Sequence, residues 1–485
     1  MKLGLLSVCV CYVFFPFVAG CKKLIVVPPP VTQLSSDNVY DNNSTASAVL
    51  TGIYTQLSGG QPTPSGALGD IGHISLLSSL SADELTVQGG NANTATALLP
   101  YYQNALIPGN PNSDETTIFS DAYRYIHVVN LALEKMAASK KLTPGVRQQL
   151  IGEAEFLRAF FYFYLVNLYG DIPLTISSDY EVNSLLARIP QAIVYAQIKS
   201  DLINAQTQLT SGYVASDAMT ATSERLRPNK WAATALLARI YLYNGKYDSA
   251  ELEAGVVISN SLYDTVSLNG VFLKNSKEAI WQLQPVNLGW NTNDARVFAL
   301  PATGPTSNSF YPVYLNRALT GNFEPGDQRR TKWIDSVIVG DSTYFFPFKY
   351  KSAALNAPVT EYEMVLRLGE QYLIRAEARA RENNFAGACA DLNMIRVRAG
   401  LPAILLNDQS SLLSEIMHER RVELFTEWGQ RWLDLKRSRQ VDAVMGFPEN
   451  VCTQKGGSWN SDWQWYPIPA YDLVLDPNLK QNDGY

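Results

Sequence analysis

A helix-turn-helix grammar, written at two places, most constrains what this chain can fold into. From Ala235 to Ala250 an apolar helical run reaches a turn at Asn244-Gly245, and Tyr247 and Ala250 open the return helix. Small residues at Ala238 and Ala250 let two helices approach closely while Tyr241 and Tyr247 fill the wedge between them, as in a tetratricopeptide-like hairpin. The pattern recurs at Ala376, with Asn383-Asn384 as the turn and Phe385 and Ala388 three apart. The long separation of the two matches argues against one continuous array.

Other segments carry the same period. Ile126, Val129, Leu133 and Met136 recur at helical spacing, Thr143-Pro144 opens a second helix that Gly170-Asp171-Ile172-Pro173 stops, and a third begins near Pro190. The expected fold is mainly all-α, with tetratricopeptide-like helix pairs as scaffold, a loop-rich face and a few short strands. Two stretches lack a helical period, Gly59 to Asn112 and Trp281 to Pro358. In the second, Trp333 to Val339 and Thr343 to Tyr350 flank Gly340-Asp341 and predict a hairpin, and the apolar run Glu278 to Leu283 around Trp281 predicts a buried strand. On a rigid helical scaffold such stretches are where a binding surface is built.

The amino terminus has its own logic. Lys2, an apolar run from Leu3 to Val18 and small Ala19-Gly20 before Cys21 form a lipobox, which predicts a signal peptide over 1–20 and acylation of Cys21. Pro28-Pro29-Pro30 then makes a stiff tether. After the signal no apolar run approaches the length of a membrane span, so the expectation is a body held on a lipid anchor. The formal charge of −6, without basic runs, argues against nucleic-acid partners. Cys9 and Cys11 leave with the signal, and Cys389 and Cys452 are expected to be unpaired.

Catalytic arrangements are weak. His73, His127 and His418 are far apart, with no metal-ligand spacing, and there is no phosphate loop or nucleophile elbow. No metal or cofactor is expected. Asp83-Glu84 is read as a turn or helix-end element, and the charged run His418 to Phe425, with Arg431 to Arg437, as an ionic network pinning the last helices. The more telling cluster is aromatic. Trp290, Phe298, Phe310, Tyr311 and Tyr314 are interleaved with Asn291, Asn293, Asp294, Arg296 and Asn316. Flat rings beside amides and a guanidinium suit pyranose rings, which offer an apolar face and an edge of hydroxyls.

These residues resemble the SusD/RagB family of Bacteroidetes outer-membrane lipoproteins. The resemblance is carried by the lipobox, by Leu168-Tyr169-Gly170-Asp171-Ile172-Pro173, by Arg227-Pro228-Asn229-Lys230 leading into the first hairpin, and by Glu370 to Arg381 with Asp391 to Leu401. Glu419 to Leu424, Arg431 to Arg437 and the ending Pro467 to Tyr485 complete it in order. It implies a non-catalytic protein that captures oligosaccharide at the cell surface, lipid-anchored in the outer membrane, and passes it to a SusC-type TonB-dependent transporter. On this reading residues 21–270 form a SusD-like amino-terminal region and 271–485 a RagB/SusD-like region with the ligand loops, the two making one structural unit. The glycan contacts expected are Trp290, Phe310, Tyr311, Tyr314, Asn291 and Arg296, with Asn93 from the first irregular stretch. Gln88 to Asn93 is free of aromatics, a departure from the several glycan-binding members of the family that carry a tryptophan in this region. Two alternatives stand beside this reading: a lipid-anchored glycoside hydrolase, and a helical-repeat scaffold that binds peptides or proteins.

Overall fold

A computed structural model of the chain describes residues 36–59, 71–88, 98–109, 118–306 and 313–485. Cys21 with its signal and tether lies outside the described residues, as do Asn93, Phe310 and Tyr311. The fold is mainly helical, and among the described residues every strand belongs to a two-stranded antiparallel pair. The principal helices are α1 (Asn43–Leu57), α2 (Ile118–Ala138), α3 (Pro144–Tyr169), α4 (Gln191–Gln208), α5 (Lys230–Tyr243) and α6 (Tyr247–Ile258). The later ones are α7 (Leu368–Arg381), α8 (Phe385–Arg398), α9 (Gln409–Glu423) and α10 (Gln430–Arg437).

Local chemistry sets their limits. Pro144 starts α3 at a position where its missing N–H is not needed, and Gly170 ends it at φ 77°, with the Trp465 ring 3.4 Å from where a Cβ would stand. Between them Phe156, Phe160, Phe161, Tyr162, Phe163 and Tyr164 are all buried, so α3 is covered all round and forms the centre of the molecule. The Asn229 side chain caps α5 by accepting from the N–H groups of Trp231 and Ala232. In the two hairpin turns Gly245 and Asn383 both have positive φ, 65° and 62°, which explains why Asn-Gly and Asn-Asn do the same work.

Helices α2 to α6 lie side by side in chain order, and α7, α8 and α9 continue the same file. The expectation of two separate hairpins is therefore corrected: α6 packs directly on α7, and Ala238, Ala250 and Ala254 share one core with Ile374 and Ala378. A buried ion pair crosses this junction, the Arg239 Nε and Nη2 reaching Glu370 at 2.6 and 2.7 Å. Residues 259–367 loop out and return, so distance along the chain misled the sequence reading.

The predicted strand exists as Ala279–Leu283, paired antiparallel with Glu363–Arg367 and buried throughout. Trp281 meets Phe156 and Phe160 edge-on at 5.0 and 5.4 Å, and its Nε1 donates to the Leu226 carbonyl at 3.0 Å. The predicted hairpin pairs Ile334–Val339 with Ser342–Pro347 around Gly340. Its second strand stops at Pro347, short of Tyr350, since Pro cannot extend a ladder. The stretch expected to lack helices also holds Asn293–Phe298, Arg317–Thr320 and Arg329–Lys332, too short to show a period, the first two capped by Thr292 accepting from the Ala295 N–H and Asn316 from the Ala318 N–H.

The late charged run is a structural network, as expected. Arg329 reaches Glu419 at 2.5 Å and Glu423 at 2.9 Å, Arg367 reaches Glu423 and Glu427 at 2.7 Å each, and Arg420 reaches Asp434 at 2.7 Å, all buried. Burial alone would raise the Glu423 pKa, but Arg398, Arg367, Arg329 and Lys349 hold it well below the usual carboxylate range. Asp83 takes both Arg421 and Arg431, at 2.6 and 2.8 Å, and so ties the segment after Ile74–Ser81 to α9 and α10. Cys389 and Cys452 are buried and unpaired.

Candidate ligand-binding site

The loop between the buried strand Ala279–Leu283 and the short helix Asn293–Phe298 carries Trp290 and is braced from several sides. Ser58 Oγ donates to the Gln284 carbonyl at 2.5 Å, and Asn287 Nδ2 donates to the Gly59 carbonyl at 3.1 Å and to Asn293 Oδ1 at 3.3 Å. Gly59 adopts φ 89°, and a Cβ there would lie 1.8 Å from Asn293 Nδ2, so only glycine allows the end of α1 to come this close. The two irregular stretches seen in the sequence thus meet at this point.

The loop presents a half-buried Trp290 ring with the Arg296 Cζ 5.0 Å from its centroid. One tryptophan face takes the guanidinium in a cation–π contact, which fixes both side chains. Leu288 beside it is 98% exposed, an apolar tip that sequence reading passed over because a lone leucine in a loop carries no pattern. Asn291 differs from expectation: it is only 3% exposed. Its Nδ2 donates to the Pro358 carbonyl at 3.1 Å, while its Oδ1 accepts from the N–H groups of Thr360 and Glu361 at 3.0 and 3.3 Å. Its amide is committed to holding the loop, and it is removed from the set of ligand contacts.

Tyr314 lies on a different wall. It sits in Val313–Leu315, paired with Leu85–Val87, and its ring meets Tyr344 edge-on at 5.1 Å over Ala299, Leu300 and Phe346. The short helix Asn293–Phe298 links the walls, with Trp290 in the loop before it, Arg296 in its last turn and Ala299 and Leu300 just past its end. The neighbouring hairpin adds a row the sequence reading did not assign: Arg330 lies 4.4 Å from the Phe345 ring centroid and Lys351 4.6 Å from that of Phe348. The crowding of Tyr344, Phe345, Phe346 and Phe348 was the available signal.

Beneath the platform lies a buried polar cluster. Asp294 and Glu363 adjoin, and burial raises the Asp294 pKa to about 7 and that of Glu363 well above its ordinary value, with each other's charge adding to the Glu363 shift. Tyr350 Oη donates to Glu363 at 3.1 Å, and Lys349 Nζ donates to the Glu423 and Phe425 carbonyls at 2.8 Å each. Asp294, Lys349 and Tyr350 border a void of only about 10 Å³. That volume is too small for a sugar ring, and Asp294 belongs to the platform helix itself. Among the described residues Glu324, Glu415 and His418 converge as a metal site would require, but Arg396 Nη1 already donates to both glutamates at 2.6 Å.

Two family models match in succession, one described as "Starch-binding associating with outer membrane" over residues 79–242 and that of the SusD family over residues 258–485. The chain belongs to the SusD/RagB family. Among relatives of this SusD-family chain, SusD-like protein P2 of Formosa agariphila is 25% identical over 443 residues, covering 79% of this chain and 83% of its own. The starch-binding protein SusD of Bacteroides thetaiotaomicron is 30% identical over 129 residues, 25% of this chain and 21% of its own. A SusD superfamily structure from Bacteroides vulgatus superposes with TM-score 0.76 at 22% identity, over 92% of this chain and 99% of that one. A laminarin-binding SusD-like protein superposes with TM-score 0.73 at 23% identity, over 92% and 100%. The SusD-type fold is thereby established for the helical file and its loop face together.

Proposed function

We propose that this SusD-family chain is a non-catalytic glycan-binding lipoprotein of the outer membrane, anchored through Cys21, facing the exterior, that captures oligosaccharide and passes it to a SusC-type TonB-dependent transporter. The observation that carries the reading is the Trp290–Arg296 pair, held on a loop fixed by the Gly59, Asn287 and Asn293 contacts. A fixed ring beside a guanidinium binds a pyranose without first having to be ordered. Tyr314 contributes a second aromatic wall; Phe310, Tyr311 and Asn93 complete the expected contact set from outside the described residues. The names of the relatives favour a glycan as ligand, since one is a starch-binding protein and one structural neighbour binds laminarin. Among the described residues no helix is long and apolar enough to cross a membrane, which accords with attachment through a lipid. Calorimetric titration of the chain with a panel of α- and β-glucan oligosaccharides tests the reading: saturable binding without release of reducing ends supports it. Turnover of any member of the panel would favour the hydrolase instead.

A further inference from the structure

A pocket of about 230 Å³ opens between α1, the small hairpin that pairs Tyr213–Val214 with Ala221–Thr222, and the end of the strand Ala279–Leu283. Trp290 and Arg296 do not line it. Gln284 and Val286 do, so it adjoins the start of the loop that carries Trp290. Its volume falls below the roughly 300–1,000 Å³ of pockets that hold drug-sized ligands, which limits the occupant to about one ring.

Its walls are fixed by the protein's own contacts. Ser47 Oγ donates to the Ser216 carbonyl at 2.6 Å and so ties the hairpin to α1, and Tyr213 Oη donates to the Ile280 carbonyl at 2.9 Å. Buried Tyr54 donates its Oη to Glu153 Oε2 at 2.7 Å and has the Arg227 Cζ 5.7 Å from its ring centroid. Arg227 Nε donates to Glu153 Oε1 at 2.9 Å and its Nη1 to Thr51 Oγ1 at 3.1 Å. A ligand therefore meets a surface that is already ordered, which lowers the entropy it must give up on binding.

The lining selects a ligand by its donors. Tyr54, Val214, Leu226 and Leu283 supply apolar surface, and the polar groups among them offer acceptors. Thr55 Oγ1 donates its hydrogen to the Thr51 carbonyl at 3.0 Å and keeps its lone pairs for the pocket. Glu224 adjoins Tyr362, and its buried Oε2 has no hydrogen-bond partner among the described residues. Gln284 stands exposed at the rim. An anion is disfavoured, because the one cationic side chain of the lining, Arg227, is matched by Glu153 while Glu224 adds negative charge. An alkyl chain would leave the acceptors unanswered. A neutral sugar ring, with an apolar face and hydroxyl donors around its edge, answers both kinds of surface. We propose that this pocket is a second carbohydrate site, separate from the Trp290 platform, that takes one neutral pyranose ring, either a free monosaccharide or the terminal unit of a longer chain.

The test titrates the purified full-length chain with glucose, galactose, mannose and xylose, observed by saturation-transfer NMR, and then with the methyl glycoside and the disaccharides of each sugar that binds. At least one monosaccharide should bind saturably. Thr55→Trp and Val286→Trp each put a large ring into the pocket from a part-buried position and should weaken binding roughly tenfold or more, and Glu224→Gln roughly fivefold or more, with melting temperatures near the parent's. Loss of binding in the methyl glycoside identifies a free monosaccharide as the ligand, and retention in a disaccharide identifies a terminal unit. Trp290→Ala should bind the monosaccharide as the parent does. The inference is overturned if no monosaccharide binds, if binding survives in both tryptophan variants or is unchanged in Glu224→Gln, or if Trp290→Ala removes it. Binding of ethylamine in place of the sugars would also overturn it, by making Glu224 a cation site. None of these results touches the platform reading, which the glucan titration decides by itself.

Discussion

At the scale of single residues the two tryptophans near the strand Ala279–Leu283 have opposite roles. Trp290→Ala should lower glycan affinity by about 1 to 3 kcal/mol, roughly 5-fold to 150-fold, with little change in melting temperature. Trp281 is buried against Phe156 and Phe160, so Trp281→Ala should instead cost about 3 to 5 kcal/mol of stability. Titrations and melts of the two variants side by side check the division; a binding loss confined to Trp281→Ala would reverse it. Asp294 gives a pH signature. Its pKa is raised by burial to about 7, so between the ordinary carboxylate range and pH 7 the native state binds more protons than the unfolded one. Stability should therefore fall as pH rises through that window and level off above it. Asp294→Asn should reduce the slope without abolishing it, because the Glu363 carboxyl is raised as well, with a difference on the order of 2 kcal/mol between pH 5 and pH 8, read from melts across that range; an unchanged slope would show that Asp294 is ionised throughout. The sequence reading could name Trp290 and Arg296 because residue type declares a stacking platform. It could not foresee that Asn291 spends its amide on Pro358, Thr360 and Glu361, because those partners lie far along the chain.

At the scale of elements the hairpins were the legible part. Spacing of alanines and tyrosines, an Asn-containing turn and an alternating apolar face are local properties, and they place α5 with α6 and α7 with α8. Ala238 and Ala250 are fully buried at the contact with Ile374 and Ala378, where only a methyl group fits. Ala250→Phe should therefore destabilise by about 1 to 3 kcal/mol, seen as a lower melting temperature with the helical signal retained before the transition; a parent-like melt would mean that the α6–α7 contact is loose. The short helix Asn293–Phe298 was not legible, for a physical reason. Six residues do not complete two turns, so no periodicity develops, and the helix exists through the Thr292 cap and through Asp294 beneath it. Elements of this kind owe their form to tertiary context.

At the scale of the whole molecule one hydrophobic core runs from Tyr40 to Leu479. The charged network of Asp83, Arg329, Arg367, Glu419 and Glu423 closes the last helices onto it. The lipobox predicts that Cys21→Ala releases the protein from the membrane fraction, because several acyl chains supply the hold. Fractionation with and without an alkynyl fatty-acid label checks this, and a Cys21→Ala protein that stays in the membrane fraction would require another anchor. The way α6 meets α7 bears on how the chain is made. The face of α6 that Ala254 occupies waits for α7, whose first residue is more than a hundred positions further on. At about 5 to 20 residues per second of synthesis, that face stays open for roughly 5 to 20 seconds. Growth from one end, repeat upon repeat, is thus denied to this solenoid: the nascent chain must keep half of an interface bare until its other half has been translated.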